Sequence, residues 1–288
     1  MKVGLVLEGG ASRASFSNGV LDVLLKEGIA VDHIVGTSAG IGSGLSFASG
    51  QRGRNHEINR RFLADPRYMG KQHLLRKDNR SYYNIGFVFD KIPNRLCPFD
   101  YKAFDRFGGE VLACVTNMKT GCAEYLPLDA SDRSWKKVQA SCSLPLLFRP
   151  VELEGERYMD GGVAVSVPFE EALAAGCDRV IVILTRERSY RKTKRDALTD
   201  AAAVYYSRYP RFAKQLLTRN RRYNAERERL FQLEREGKVF VLAPDRTLHF
   251  SRTERDGKAI QRLYCQGCRE AKSRMAALRA YFSEETEK

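Results

Sequence analysis

Histidine is scarce in this chain, which has only four among its 288 residues: His33, His56, His73 and His249. A serine hydroxyl needs a neighbouring base to become a strong nucleophile, and histidine is the usual one. None of the four lies in the late strand-end loop where an α/β-hydrolase holds its base, since His249 is close to the C-terminal end of the fold. The scarcity disfavours a Ser-His-Asp enzyme. If a serine is the nucleophile, we expect a carboxylate to be its base and the histidines to be packed or surface residues.

Long hydrophobic runs are absent too. No apolar run approaches the ~20 residues that a membrane-spanning helix needs, and the apolar start of the chain, residues 1–7, is shorter than the apolar region of a signal peptide. The seven cysteines are scattered and odd in number, which is typical of reduced thiols. These features predict a cytoplasmic protein, neither secreted nor membrane-spanning.

Neither the cysteines nor the glycines indicate a cofactor. Cys265 and Cys268 form a lone C-x-x-C pair with only His249 nearby, which is too few ligands for a zinc site. We expect two thiols on a late helix and no metal. The glycine-rich segment at Gly9 and Gly10 lacks both a Walker lysine and the G-x-G-x-x-G spacing, so it does not predict a nucleotide cofactor.

Positive charge is abundant: the formal net charge is +14. Residues 186–230 hold 14 Lys and Arg against 5 Asp and Glu, interleaved with tyrosines, and the run of Arg191, Lys192, Lys194 and Arg195 lies within them. Such a stretch suits an anionic lipid surface and equally suits nucleic acid. A charge run by itself favours a solvated helical face, and peripheral contact with an anionic membrane is the alternative. Because no nucleic-acid-binding motif accompanies the stretch, we expect no nucleic acid.

The apolar periodicity predicts an α/β fold with a parallel sheet. A strand at 2–7, a helix at 16–27, a short strand at Ile34 and Val35 and a small-residue helix to Ser49 alternate in the first fifty residues. No internal repeat or low-complexity linker divides the chain. Residues 51–109 are less regular, and the remaining predicted elements are strands at 111–116, 123–126, 179–184 and 239–242, a short segment at 157–159, and helices at 135–140, 168–175 and 259–282.

The segment Gly36-Thr37-Ser38-Ala39-Gly40 fits the pattern G-x-S-x-G between a predicted strand and a predicted helix. A tight strand-to-helix turn lifts a serine hydroxyl clear of the sheet, and flanking glycines such as Gly36 and Gly40 tolerate the crowding. The amide end of the following helix favours developing negative charge. Ser38 is therefore a candidate nucleophile, with a packed glycine turn as the alternative.

Two further glycine segments complete a candidate site. Asp160 precedes Gly161 and Gly162, and partial burial would raise its pKa enough for it to take a serine proton. The competing interpretation is an Asp that merely caps its turn. Gly9 and Gly10, after the first strand, can aim backbone amides at an anionic oxygen, which makes that turn a candidate oxyanion hole.

In this order, the segments 9–13, 36–40 and 160–162 resemble the patatin-like phospholipases, as does Ala140-Ser141-Cys142-Ser143-Leu144-Pro145. The resemblance implies a three-layer α/β/α sandwich with a mostly parallel central sheet. It implies Ser38 as nucleophile and Asp160 as general base, with the amides of Gly9, Gly10 and Ala11 as oxyanion hole and Arg13 beside them.

The implied reaction is hydrolysis of lipid carboxylic esters, of the phospholipase A or lysophospholipase kind, through an acyl-Ser38 intermediate without metal or cofactor. The expected organisation is a catalytic domain over 1–185, with 51–110 elaborated over the pocket. A basic, mainly helical extension over 186–288 is expected to pack on the same domain.

The chain departs from the family pattern at Ala11 and Ala14, which replace glycines. An alanine keeps its N–H, so the oxyanion hole survives at negative φ. At positive φ, the alanine costs on the order of 1 kcal/mol and reshapes the loop. A non-catalytic lipid- or partner-binding protein on the same scaffold is therefore the alternative function.

Overall fold

The computed structural model describes residues 1–193, 197–247 and 250–283. An eight-stranded mixed sheet forms its centre, in the order β5-β6-β3-β2-β1-β7-β8, with β4 on the other edge of β3. The strands β1, β2, β3, β7 and β8 run parallel, while β4 and β6 run antiparallel to β3. The strand bounds are Val3–Leu7 (β1), His33–Thr37 (β2), Glu110–Asn117 (β3), Ala123–Pro127 (β4), Val151–Leu153 (β5), Glu156–Asp160 (β6), Arg179–Ile183 (β7) and Val239–Leu242 (β8).

Helices cover both faces of this sheet. Their bounds are Ser15–Lys26 (α1), Ala39–Ala48 (α2), Arg54–Phe62 (α3), Tyr101–Asp105 (α4), Lys136–Cys142 (α5), Phe169–Ala174 (α6), Ala197–Tyr205 (α7), Pro210–Arg235 (α8) and Gly257–Ser283 (α9), with a π-helical segment at Phe87–Leu96 and short 3-10 turns at Ala11–Ala14, Lys71–His73 and Gly161–Val163.

Alternate residues of the central strands point to opposite helical layers. Ile181 and Ile183 of β7 pack in the cluster that contains residues of α1, α2 and α9. Val180 and Val182 of the same strand pack in the cluster that contains residues of α6 and α8. Because both faces are covered, the parallel strands consist of continuous apolar residues. The predicted three-layer α/β/α sandwich is thus confirmed.

The last hundred residues contribute to this sandwich directly. β8 pairs in parallel with β7, and α9 lies across α1. The two helices approach so closely that a Cβ on Gly19 would lie 2.1 Å from the carbonyl oxygen of Tyr264. A Cβ on Gly267 would lie equally close to the carbonyl oxygen of Phe16. Glycine at the crossing is therefore a packing requirement.

Residues 51–109 contain more regular structure than their sequence indicates. α3 is strongly polar, and the π-helical segment contains Pro93, so neither shows the apolar periodicity of an ordinary helix.

β5 is three residues long and only partly buried, which leaves no sequence pattern to predict it. Among the helices within the described residues, none is long and apolar enough to cross a membrane.

Candidate active site

Strand register brings Ser38 and Asp160 together. At one edge of β3, Cys114 pairs with Thr37, the last residue of β2. The next residue, Val115, pairs at the same edge with Asp160, the last residue of β6, because β4 occupies the opposite edge. β6 therefore continues where β2 ends. The turn that carries Ser38 consequently faces the residue that ends β6.

Ser38 occupies a strained turn between β2 and α2. Its backbone has φ +56° and ψ −129°, a region that costs a residue with a Cβ on the order of 1–3 kcal/mol. The flanking glycines are required by close packing: a Cβ on Gly36 would lie 2.7 Å from the amide nitrogen of Ile41, and one on Gly40 would lie 2.6 Å from the carbonyl oxygen of Leu7. This is the geometry of a nucleophile elbow.

Asp160 is 2% exposed, and its two carboxylate oxygens differ. Oδ1 accepts a hydrogen bond of 2.8 Å from the Gly162 amide. Oδ2 is buried without a hydrogen-bond partner among the described residues. Burial raises the pKa of the Asp160 carboxyl, and the guanidinium of Arg219, the Gly162 amide and the Ser38 hydroxyl partly oppose that rise. Asp160 thus combines a raised pKa with a free oxygen.

The segment that precedes Asp160 also holds the serine turn. Ser141 Oγ accepts a hydrogen bond of 2.8 Å from the Ser38 amide and donates one of 2.7 Å to the carbonyl oxygen of Cys114. Ser143 accepts through its carbonyl oxygen from the Asp160 amide, at 2.9 Å. The sequence singled out residues 140–145 by resemblance alone. The structure gives Ser141 and Ser143 specific contacts that position both candidate catalytic residues.

The turn at residues 9–13 lies against Ser38. A Cβ on Gly9 would lie 3.1 Å from Ser38 Cβ. No described residue accepts a hydrogen bond from the N–H groups of Gly9, Gly10 or Ala11, whereas the Ser12 amide donates to the carbonyl oxygen of Arg252. Three adjacent free donors beside a nucleophile suit the binding of an oxyanion.

Ala11 has a φ of +48°, so the positive-φ case holds for this alanine. Its cost of about 1 kcal/mol is present in the folded chain. Ala14, the other replaced glycine, has an ordinary φ of −60°. The family departure at Ala14 therefore costs nothing in backbone conformation.

Two cavities meet at Ser38, and Ala11 and Leu144 also line both. The larger has a volume of about 160 Å³ and is lined mainly by apolar side chains. Nearly half of its lining comes from residues 54–93: Arg54, Asn55, Ile58, Asn59, Leu63, Tyr68, Tyr83, Val88, Phe89, Ile92 and Pro93.

The smaller cavity has a volume of about 70 Å³ and is polar. Asp160, Gly162 and Arg13 line it together with several residues beyond position 185. Arg13 is 8% exposed, and its Nε has no hydrogen-bond partner among the described residues. Burial and the nearby Arg186 and Arg252 lower the pKa of Arg13 to about 10.

The basic stretch 186–230 is divided by the structure. Arg186, Lys192 and Arg219 line the polar cavity, and Arg227 is fully buried. These positions do not belong to the solvated or membrane-facing surface that the charge count indicates. Arg191 is exposed, whereas Lys194 and Arg195 lie outside the described residues. Arg219 is a site residue that sequence reasoning missed, because a helical charge run does not show which arginine turns inward.

None of the described histidines lines either cavity. His33 is buried in β2 and contacts Glu110, His56 stacks on Tyr264, and His73 lies 2.8 Å from the carbonyl oxygen of Pro66. His249 lies outside the described residues. Cys265 and Cys268 lie on α9, and no group of three metal-ligating side chains occurs in the described part of the chain.

Comparison with known proteins gives matches in both halves of the chain. The model of a family described as patatin-like phospholipase matches residues 5–173. That of a domain of unknown function, DUF6363, matches residues 209–283.

Individual relatives are distant. The uncharacterized protein YjjU of Escherichia coli (strain K12) is 27% identical over 191 residues, which cover 64% of this chain and 52% of YjjU. Lysophospholipase NTE1 of Candida glabrata is 26% identical over 187 residues, 63% of this chain and 10% of NTE1. The chain thus spans about half of one relative and a tenth of the other. Among solved structures, VipD from Legionella pneumophila is similar with a TM-score of 0.41 and 14% identity, over 94% of this chain and 67% of VipD.

The family model covers more than half of the sequence and includes the serine turn and the glycine-rich turn at residues 9–13 as well as Asp160. The chain belongs to the patatin-like phospholipase family.

Proposed function

We propose that this protein hydrolyses carboxylic esters of lipids, with Ser38 as nucleophile and Asp160 as general base. The observation that carries the proposal is the buried Asp160 carboxylate, whose Oδ2 has no described partner, at the end of the strand beside the Ser38 turn. A carboxylate with a raised pKa accepts a serine proton more readily than an ordinary surface aspartate. No described histidine competes for this role.

The reaction then proceeds in two steps. Ser38 Oγ transfers its proton to Asp160 Oδ2 and attacks the ester carbonyl, while the amides of Gly9, Gly10 and Ala11 hold the oxyanion. The tetrahedral intermediate collapses to acyl-Ser38, and the leaving alkoxide takes the proton from Asp160. In the second step, water gives its proton to Asp160 and attacks the acyl group, which releases the fatty acid and returns the proton to Ser38.

The larger cavity supports a lipid as the acyl donor. Its apolar lining adjoins the nucleophile, so an acyl chain in this cavity places its ester carbonyl at Ser38. Residues 51–110 supply much of this lining, which fits their proposed place as an elaboration over the pocket. The names of the lysophospholipase relatives agree with such a substrate.

The first test labels the nucleophile without any assumed substrate. The wild type, Ser38→Ala and Asp160→Asn are each treated with a fluorophosphonate probe as full chains. Intact-mass spectrometry then measures the adduct. We expect one adduct on the wild type and none on either variant, because phosphonylation needs both the hydroxyl and its base. Ser43→Ala is the matched control: Ser43 lines the same cavity on α2 and should leave labelling unchanged.

Failure of labelling on a folded wild type would favour the alternative function, a lipid- or partner-binding protein on this scaffold. Labelling that persists in Asp160→Asn would mean that another group activates Ser38. Thermal unfolding by circular dichroism checks that each variant is folded.

We further propose peripheral contact with an anionic membrane on the cytoplasmic side. Val204 and Tyr205, at the end of α7, are 75% and 72% exposed. On α8, Lys214, Leu217 and Arg221 lie on one helical face and are exposed. Exposed apolar groups among cations suit the head-group region of an anionic bilayer. The free state of all seven cysteines agrees with a reducing compartment.

A further inference from the structure

The polar cavity beside Ser38 carries an excess of positive charge. Five cationic side chains line it, Arg13, Arg186, Lys192, Arg219 and Arg252, against the two carboxylates Glu8 and Asp160. Neither carboxylate is available to them as an ion-pair partner. Glu8 is 3% exposed and accepts hydrogen bonds from Thr185 and from the Tyr223 hydroxyl, while Asp160 is the proposed base.

None of the five cations forms a direct ion pair with a described carboxylate. Glu8 and Glu226 act on Lys192 only from beyond ion-pair distance. Asp160 and Glu226 act on Arg219 in the same way. The Lys192 ammonium lies 3.7 Å from the centre of the Tyr223 ring, and Arg186 lies over Tyr190. Burial lowers the pKa of Lys192 well below its usual range, and the neighbouring Arg219 and Arg252 lower it further. Holding such groups together costs stability unless an anion joins them.

Four of the five cations, all except Arg13, belong to the part of the chain beyond the serine and aspartate motifs. Arg219 is fixed by a hydrogen bond from its Nε to the carbonyl oxygen of Gly162, at 2.6 Å. Lys192 is held through its backbone, whose N–H and carbonyl bond the side-chain amide of Asn224. Arg252 is fixed through its carbonyl oxygen, which accepts from the Ser12 amide.

We infer that this cavity binds the phosphate of a lipid head group, and that Lys192, Arg219 and Arg252 make the enzyme prefer esters whose phosphate carries no cationic substituent. The inference rests on the proposed hydrolase function and deepens it. A guanidinium group can donate two parallel hydrogen bonds to two oxygens of one phosphate, and several cations together balance the negative charge of that phosphate. A choline or ethanolamine group would meet five like charges, and the one lining carboxylate with an unpaired oxygen, Asp160, is engaged in the proposed reaction. The volume of about 70 Å³ suits a compact group, with the acyl chain in the larger cavity.

A binding experiment tests the inference independently of turnover. Calorimetry on the full-length Ser38→Ala protein compares the ether-linked analogues octyl glycerol phosphate, octyl glycerophosphocholine and octyl glycerol, each below its micelle concentration. We expect the phosphate to bind at least about tenfold more tightly than either of the others, as charge-assisted hydrogen bonds require. Adding Lys192→Met and Arg252→Met should remove that preference and leave octyl glycerol binding unchanged.

The control variant is Arg208→Met, an exposed cation that does not line the cavity and should retain the preference. Equal affinity for the three analogues, or an equal loss for all three in the Lys192 and Arg252 variant, would overturn the inference. Inorganic phosphate is the last ligand tested by calorimetry. If it binds as tightly as octyl glycerol phosphate, the cavity is a free-phosphate site and the head-group assignment is wrong.

Hydrolysis of the corresponding octanoyl esters separates this inference from the proposed function. A phosphate preference in binding with no hydrolysis of any ester would contradict the hydrolase and leave the phosphate site standing. Hydrolysis of the neutral and phosphate esters at equal kcat/KM would support the hydrolase and contradict the phosphate preference. Because Arg252 is exposed, the single variant Arg252→Met keeps the test valid if the double variant fails to fold.

Discussion

At the scale of single residues, the site contains a strained alanine where the family pattern has glycine. Ala11 lies at φ +48°, and the N–H that it contributes to the proposed oxyanion hole depends on that conformation. A glycine would adopt the same backbone without the penalty on Cβ. Alanine at this position costs stability relative to glycine, although both residues supply the same free N–H.

We predict that Ala11→Gly changes the free energy of unfolding differently from Ala14→Gly. Ala14 has a φ of −60° and is buried, so glycine there adds freedom to the unfolded chain and removes a buried methyl group. The substitution should destabilise by about 1–2 kcal/mol. At Ala11, relief of strain offsets that loss, and the change should be close to zero or stabilising. Urea denaturation measures both. Equal destabilisation by the two substitutions would show that φ at Ala11 stores no strain.

The pH dependence of hydrolysis depends on Asp160 and Arg219. The active form of the base is the carboxylate, so kcat/KM should rise with pH through the raised pKa of Asp160 and then level off. Arg219 opposes the rise in that pKa, because its charge favours the carboxylate. Arg219→Gln should therefore move the midpoint to higher pH.

The measurement is kcat/KM for a neutral soluble ester, followed from about pH 4 to about pH 9. Arg219→Lys retains a positive charge and should shift the midpoint less. An unchanged midpoint in Arg219→Gln would mean that the titrating group is not Asp160. A lower plateau by itself would reflect only the loss of a structural contact of Arg219, so the midpoint decides the test.

The catalytic candidates could be read from sequence because each lies in a short local motif. Ser38, Asp160 and the turn at Gly9 are marked by glycines that the structure requires for close packing. Ser141 and Arg219 could not be assigned roles in that way. Their contacts, with Ser38 and with Gly162, join residues that are 103 and 57 positions apart.

At the scale of elements, β3 is the strand that assembles the site. Its first half pairs with β2 and its last residues pair with β6 at the same edge. The sequence predicted both β3 and the segment at 157–159 but gave no register. Register follows from the burial of each face and from neighbouring strands, which a single sequence does not display. The closeness of Ser38 and Asp160 was therefore an expectation from family resemblance, not from the strand pattern.

α8 is anchored by a buried arginine rather than by an apolar residue. Arg227 is fully buried, and its guanidinium donates to the carbonyl oxygens of Glu187 and Arg188, at 2.7 and 3.2 Å, and to the Tyr223 hydroxyl. Tyr223 in turn donates to Glu8 at the end of β1. This chain of contacts links the helix to the segment after β7 and to the polar cavity.

We predict that Arg227→Met lowers the free energy of unfolding by about 3 kcal/mol, because it leaves two partly buried carbonyl oxygens and the buried Tyr223 hydroxyl without their donor. Arg229→Met is the matched control two residues away. Arg229 is exposed, so its loss should change stability by less than about 0.5 kcal/mol. Urea denaturation of the full chain gives both values. Equal effects would show that the buried guanidinium contributes no more than a surface one.

At the scale of the whole molecule, residues 186–288 contribute to both the sheet and the active site. They supply the edge strand β8, the helix α9 across α1, and four of the five cations of the polar cavity. We therefore propose that they fold with residues 1–185 as one domain. A chain that ended at residue 185 would expose the edge of β7 and the apolar face of α1, both of which favour aggregation.

The exposed charge of the molecule is distributed over both helical layers. Among the residues that the structure describes, large exposed apolar groups accompany the cations of the layer that contains α7 and α8. Arg208, Arg211, Lys214 and Arg221 are exposed near Val204, Tyr205 and Leu217 in sequence. In the other layer, Lys26 of α1 and Arg262, Arg269 and Lys272 of α9 are equally exposed. Net charge alone would attract both layers to an anionic surface. Insertion of apolar side chains should favour the first.

We predict that replacing Arg208, Arg211, Lys214 and Arg221 by Gln weakens binding to vesicles of mixed phosphatidylcholine and phosphatidylglycerol by at least about tenfold, since each cation near the surface contributes about 1 kcal/mol. Replacing Lys26, Arg262, Arg269 and Lys272 removes the same charge from the opposite layer and should weaken binding less. Sedimentation with vesicles at low and physiological salt measures both variants. Equal losses would mean that net charge attracts the protein without orienting it. If the wild-type protein does not bind the vesicles, the exposed cations and apolar groups of α7 and α8 form a solvated face.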